Sequence, residues 1–101
     1  MDLFLERSKE TAIAEAQKQY PTIDYHILLA LHRYATKHIL AGHFVTAVLS
    51  NDLREAIGRA DSETLIALHP IVYFCHDEIP DICWGSKKKV ENWLKQQPKE
   101  N

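Results

Sequence analysis

From Ile39 to Asp61 the chain reads ILAGHFVTAVLSNDLREAIGRAD, and this stretch decides the fold class. Between His43 and Ser50, the residues Phe44, Val45, Ala47, Val48 and Leu49 fall nearly all round a helix, and a helix so apolar has to be buried. Ser50 or Asn51 then offers a cap for a second short helix, Asp52 to Ile57. Leu53, Ala56 and Ile57 face inward in this reading, and Gly58 is a left-handed stop. Two short helical patterns without strand alternation point to an all-α protein.

Upstream, Tyr20-Pro21 ends a first helix of about 2–19, because proline disfavours helical geometry in the residue before it. Its apolar stripe is rough, so it is expected at the periphery. Thr22 can cap a second helix, about Ile23 to His38, in which Ile27, Leu28, Leu31, Tyr34, Ala35 and His38 recur every three or four residues. That helix is the expected packing centre. Downstream, Asp61 or Ser62 can cap a helix running toward Glu78, with a kink or break near His69 imposed by Pro70. Ile79 to Gly85 reads as a loop. Ser86 caps a last helix buried through Val90, Trp93 and Leu94, and 97–101 is a peripheral tail. The expected architecture is a compact single-domain all-α bundle of about five to six short helices over residues 1–101.

The length supports one core. Hydrophobic residues make up 46% and charged residues 26%, the balance of an ordinary globular protein. With 12 Lys+Arg against 14 Asp+Glu, the formal net charge of -2 supplies no global field for a phosphate backbone, which argues against a nucleic-acid partner. Cys75 and Cys83 form no C-x-x-C unit, no targeting segment is evident, and no apolar run reaches membrane-spanning length. A cytoplasmic protein with no membrane association is expected.

Six histidines invite a metal, but His26, His32 and His38 step by six residues and rotate away from one another on a helix. No metal and no cofactor is expected. His76-Asp77 matches the paired step of HD-type phosphohydrolases only as a dipeptide. Asp77, Glu78 and Asp81 surround the cysteines with negative charge, which works against an activated thiolate. No acid–base pair or nucleophile constellation survives the spacing, so the reading leans away from an enzyme.

Two polar clusters are better candidates. In the first, Trp84 offers a ring for stacking, while Ser86 and Lys87 open a helix whose free N–H groups favour anions. The alternative is that Trp84 fills the core and Ser86 merely caps its own helix. In the second, His43, Asn51, Asp52 and Arg59 gather at breaks in buried structure, and Arg59 has the fork to grip a phosphate. The alternative there is an internal bridge from Arg59 to Asp52 or Asp61.

The combination of GHF at Gly42 to Phe44, NDL at Asn51 to Leu53, GRAD at Gly58 to Asp61, and CWGS with KV-x-x-W at Cys83 to Trp93 resembles a group of small helical proteins of bacteriophages and prophages. The resemblance covers about Asp24 to Leu94. Pro70 departs from the group's pattern. What it implies is a compact helical phage protein, a setting in which small accessory proteins sequester a host signal or block a host protein.

Together these readings predict a non-enzymatic protein that sequesters a small anionic, nucleotide-like ligand, such as an immune-signalling nucleotide of the infected cell. Its site would comprise His43, Asn51, Asp52, Arg59, Trp84, Ser86 and Lys87, with a homo-oligomer allowing a pocket between subunits. The rival is an inhibitor or adaptor that binds a host protein. DNA association through Lys87 to Lys95 ranks third.

Overall fold

The computed structural model describes residues 3–96 and is all-α, with no strand among them. The expected tail at 97–101, and the expected start of the first helix at Asp2, lie outside the described residues. Among the described residues eight α-helices form, more than the five to six expected: α1 (Leu3–Glu6), α2 (Lys9–Gln19), α3 (Tyr25–Lys37), α4 (His43–Leu49), α5 (Leu53–Arg59), α6 (Ser62–Ile66), α7 (Leu68–Glu78) and α8 (Lys87–Leu94). A 3-10 turn, Asp81–Cys83, precedes α8.

Two extra breaks account for the difference. The expected first helix divides at Ser8, whose hydroxyl accepts from the Thr11 amide and caps α2. The expected fifth helix divides at Ala67, so that Pro70 falls in the first turn of α7. Proline is tolerated there because the first amides of a helix have no intrahelical acceptor to lose.

The packing centre is α3, as the spacing predicts. Leu28, Leu31, Tyr34 and Ala35 are buried on it, and α3 packs chiefly against α2, with α1 and α4 closing the rest. Its cap is Asp24 rather than Thr22, with the carboxylate accepting from the His26 amide at 2.9 Å. The first helix is less peripheral than expected. Phe4, Ala12, Ile13 and Ala16 are all buried, and Phe4 meets Phe74 edge to face at 4.8 Å.

One junction ties α3 to the C-terminal elements. The Tyr34 hydroxyl donates to the Cys83 carbonyl at 2.7 Å, and the Trp93 indole N–H donates to the Tyr34 carbonyl at 2.8 Å. His38 closes α3 in the left-handed conformation with φ 58°, and its ring stacks on Trp93 at 4.0 Å. Its Nδ1 lies 2.7 Å from the Trp93 carbonyl, which can only accept, so that nitrogen carries the proton.

The helix α5 departs most from the sequence reading. Asp52, not Ser50 or Asn51, caps it, and Ala56 alone is buried. Leu53 and Ile57 were expected to face inward and are instead 62% and 47% exposed. Gly58 is no left-handed stop but a helical residue, and the helix runs on to Arg59, with Ala60 as its C-cap. The left-handed position belongs to Asn51, with φ 60°.

Candidate functional site

The polar residues of the 39–61 stretch sit at helix boundaries, and most are engaged there. Asn51 ends α4 in a Schellman arrangement, its amide bonding Val48 and the Asp52 amide bonding Ala47. The left-handed turn brings Asp52 onto the start of α5, where it accepts from the Glu55 amide at 3.1 Å. Asp61 does the same for α6, accepting from the Thr64 amide at 2.8 Å. That bond holds the Asp61 carboxyl below its ordinary range.

With both aspartates committed to caps, Arg59 takes neither of its expected partners. It pairs with Glu55 at 2.7 Å, one turn back on the exposed face of α5. Such a surface pair leaves the helix junction unbraced and contributes little to stability.

Asn51, Asp52 and Trp84 are brought together. They line a shallow groove of about 60 Å³ with Val48, Leu53, Ala56, Leu68 and Val72. The Trp84 ring is held by its N–H bond to the Ile79 carbonyl at 3.2 Å, and the next residue, Gly85, bonds the Leu49 carbonyl from a φ of 117°. This clamp of the loop onto the end of α4 sets the groove's wall. His43, Arg59, Ser86 and Lys87 do not line it. His43 is exposed at the start of α4, Ser86 caps α8 by accepting from the Lys89 amide, and Lys87 is exposed beside it. Four of the seven expected ligand residues therefore lie outside the groove.

A larger cleft lies elsewhere. An open cleft of about 530 Å³ lies between the end of α2, the start of α3 and α6, lined by Gln17, Pro21, Thr22, Ile23, Asp24, Tyr25, Ile27, Asp61, Glu63, Thr64 and Ala67. Three carboxylates face it and no lysine or arginine does. Caps occupy one oxygen each of Asp24 and Asp61, and Tyr25 is 46% exposed at the edge. The cleft joins Gln17 and Tyr25 to residues some forty positions away, which local spacing does not reveal. The one legible signal was Asp61, read as a candidate helix cap.

The remaining chemistry is quiet. Burial pushes the Cys75 thiol up to about 12, with Cys83 adding to the shift, so Cys75 stays protonated and unreactive at neutral pH. Cys83 donates weakly to the Pro80 carbonyl. Among the described residues no group of three or more His, Cys, Asp or Glu side chains could hold a metal ion, and no helix is long and apolar enough to cross a membrane. Set against known proteins, the chain matches no family model, no curated protein and no solved structure.

Proposed function

We propose that the protein is a non-enzymatic binding module, an inhibitor or adaptor, that receives a basic segment of a partner protein in the α2/α3/α6 cleft. The observation that carries this reading is the cleft's charge: three carboxylates and no lysine or arginine around about 530 Å³. A lysine or arginine side chain fits that field, with its alkyl stem against Ile27, Ala67 and the Tyr25 ring. An anionic ligand would be repelled from it. Selection from a peptide library should return Lys/Arg-rich sequences whose binding weakens with salt and is lost in Asp61→Asn/Glu63→Gln. Enrichment of acidic or purely apolar peptides would sink the reading.

A second reading keeps the small anionic, nucleotide-like ligand, sequestered by a phage accessory protein acting against host defence. What favours it is the meeting of Asn51, Asp52 and Trp84 at one groove, with the α8 start following directly in the chain. The groove is small beside the roughly 300–1,000 Å³ of ordinary ligand sites, so a nucleotide would need a second subunit to enclose it. Calorimetry against cyclic and ADP-ribose-derived nucleotides tests this, with Trp84→Ala and Arg59→Ala as controls. Uniform absence of heat removes it.

A further inference from the structure

Among the described residues two buried side-chain polar atoms have no hydrogen-bond partner, Nε2 of His32 and Oε1 of Glu78, and both belong to one corner of the molecule. Glu78 lines a cavity of about 120 Å³ between α1, α2 and α7, and His32 lies against its wall, edge-on to Phe4 at 5.1 Å. The cavity floor is apolar, built from Phe4, Phe74, Ala12 and Ala16, all buried. Its rim carries opposite charges. Arg7, in the break between α1 and α2, faces the same space as Glu78, yet no ion pair joins them. Glu15 also lines the cavity but is paired with Lys18 at 3.7 Å.

Glu78 is doubly ill-placed for a purely structural carboxylate. It is the last residue of α7, the end at which a helix favours cations, and one of its oxygens is buried without a donor. A carboxylate and a guanidinium on one rim, with an aliphatic and aromatic floor between them, define a complementary guest. Such a guest presents an ammonium to Glu78, a carboxylate to Arg7, and a short apolar body to Phe4, Phe74 and the two alanines. Apolar cavities of roughly this scale accept guests the size of benzene. We infer that the α1/α2/α7 cavity is a binding site for a free amino acid with an aliphatic side chain, of about the size of valine or leucine.

This site shares no residue with the acidic cleft, and its test is independent of that reading. The full chain, isotopically labelled, is titrated with L-valine and L-leucine while amide resonances are followed. Saturable shifts confined to Phe4, Ala12, Ala16, Phe74 and Glu78 are expected, with no change around Asp61 and Glu63. On the unaltered protein, N-acetyl-valine, which lacks the ammonium, and isobutylamine, which lacks the carboxylate, should each bind at least about tenfold more weakly, the loss expected for one charge-assisted hydrogen bond. Glu78→Gln should weaken valine by a similar factor while keeping the native spectrum, and Arg7→Gln should do the same. Equal binding of valine and N-acetyl-valine overturns the assignment of Glu78. No saturable shift at millimolar amino acid, with only long-lived water detected in the cavity, overturns the site itself. Because the analogue series uses the native chain, the outcome does not depend on either variant folding.

Discussion

The end and the middle of α3 treat their polar groups in opposite ways. At its C-terminal end Tyr34, His38, Trp93 and Cys83 interlock, so that the hydroxyl, the indole N–H and the imidazole Nδ1 each meet a backbone carbonyl within 2.8 Å. Toward its middle, where α3 faces α1, His32 is just as buried but leaves Nε2 unpartnered, and Glu78 nearby leaves Oε1 so. Both regions bury aromatic rings, and only the first completes its hydrogen bonds. Polar groups in the first region fix the fold. In the second, one nitrogen of His32 and one oxygen of Glu78 are buried without a hydrogen bond, and folding gains nothing from them.

The comparison is broken if the first region proves dispensable. Trp93→Ala should have the largest effect, because it removes the ring stacked on His38 and one of the two donors to the Tyr34 carbonyl, which keeps only the His38 amide. A loss of about 3 kcal/mol is expected, the low end for large aromatic truncations since Trp93 is only half-buried. Denaturant unfolding with an unchanged slope checks it. Tyr34→Phe keeps the ring and deletes only the hydroxyl, leaving a buried Cys83 carbonyl without its donor, so about 1–2 kcal/mol should go. Burial also pushes the Tyr34 phenol well above its ordinary value, and this bond therefore persists to strongly alkaline pH.

The helix faces that enter the first region were legible in the sequence, but the bonds that lock it and the cavity of the second were not, for a physical reason. Capping at Asp61 and Ser86, the apolar α4 and the core face of α3 are local properties, readable from neighbours three or four residues apart. Which face of a short helix finds a partner is not local. The pattern of α5 put Leu53 and Ile57 inside, but only Ala56 is covered. Arg59 was expected to reach Asp52 or Asp61, yet both carboxylates accept from amides at helix starts and Arg59 pairs with Glu55, one turn back on its own helix. Arg7 and Glu78 face one cavity from opposite ends of the chain, and no spacing rule joins them. Of the expected site only Asn51, Asp52 and Trp84 converge, because the Gly85 amide clamps the Trp84 loop to the end of α4.

The second region predicts its own pH dependence. Burial lowers the His32 imidazole below its ordinary value of 6.5, with the Lys9 charge adding to the effect and the Arg7 and Phe4 carbonyls opposing it. The unfolded chain thus takes up a proton before the folded one does. Stability is complete above pH 6.5 and falls as pH drops from there toward the lower folded value. His32→Phe keeps a ring against Phe4 without the titrating nitrogen, and should flatten this part of the stability profile while leaving the slope below pH 4 to the carboxylates. An unchanged profile would show that His32 does not differ between the folded and unfolded states.

The smallest stability effect is expected at Glu78, and its smallness sharpens the contrast most. If Glu78 were structural in the way Tyr34 is, neutralising it would cost the molecule a bond. No hydrogen bond to its buried oxygen exists to be lost, and its charge sits at the unfavourable end of α7. Glu78→Gln replaces an unpartnered charge with a neutral amide of the same shape, so unfolding free energy should stay within about 0.5 kcal/mol of the parent or rise. A loss as large as that of Tyr34→Phe would mean that Glu78 already has a stabilising partner, and the division between completed and leftover polar groups would then fall. A neutral or positive change, together with weakened valine binding in the same variant, would separate what Glu78 does for the fold from what it does for a guest.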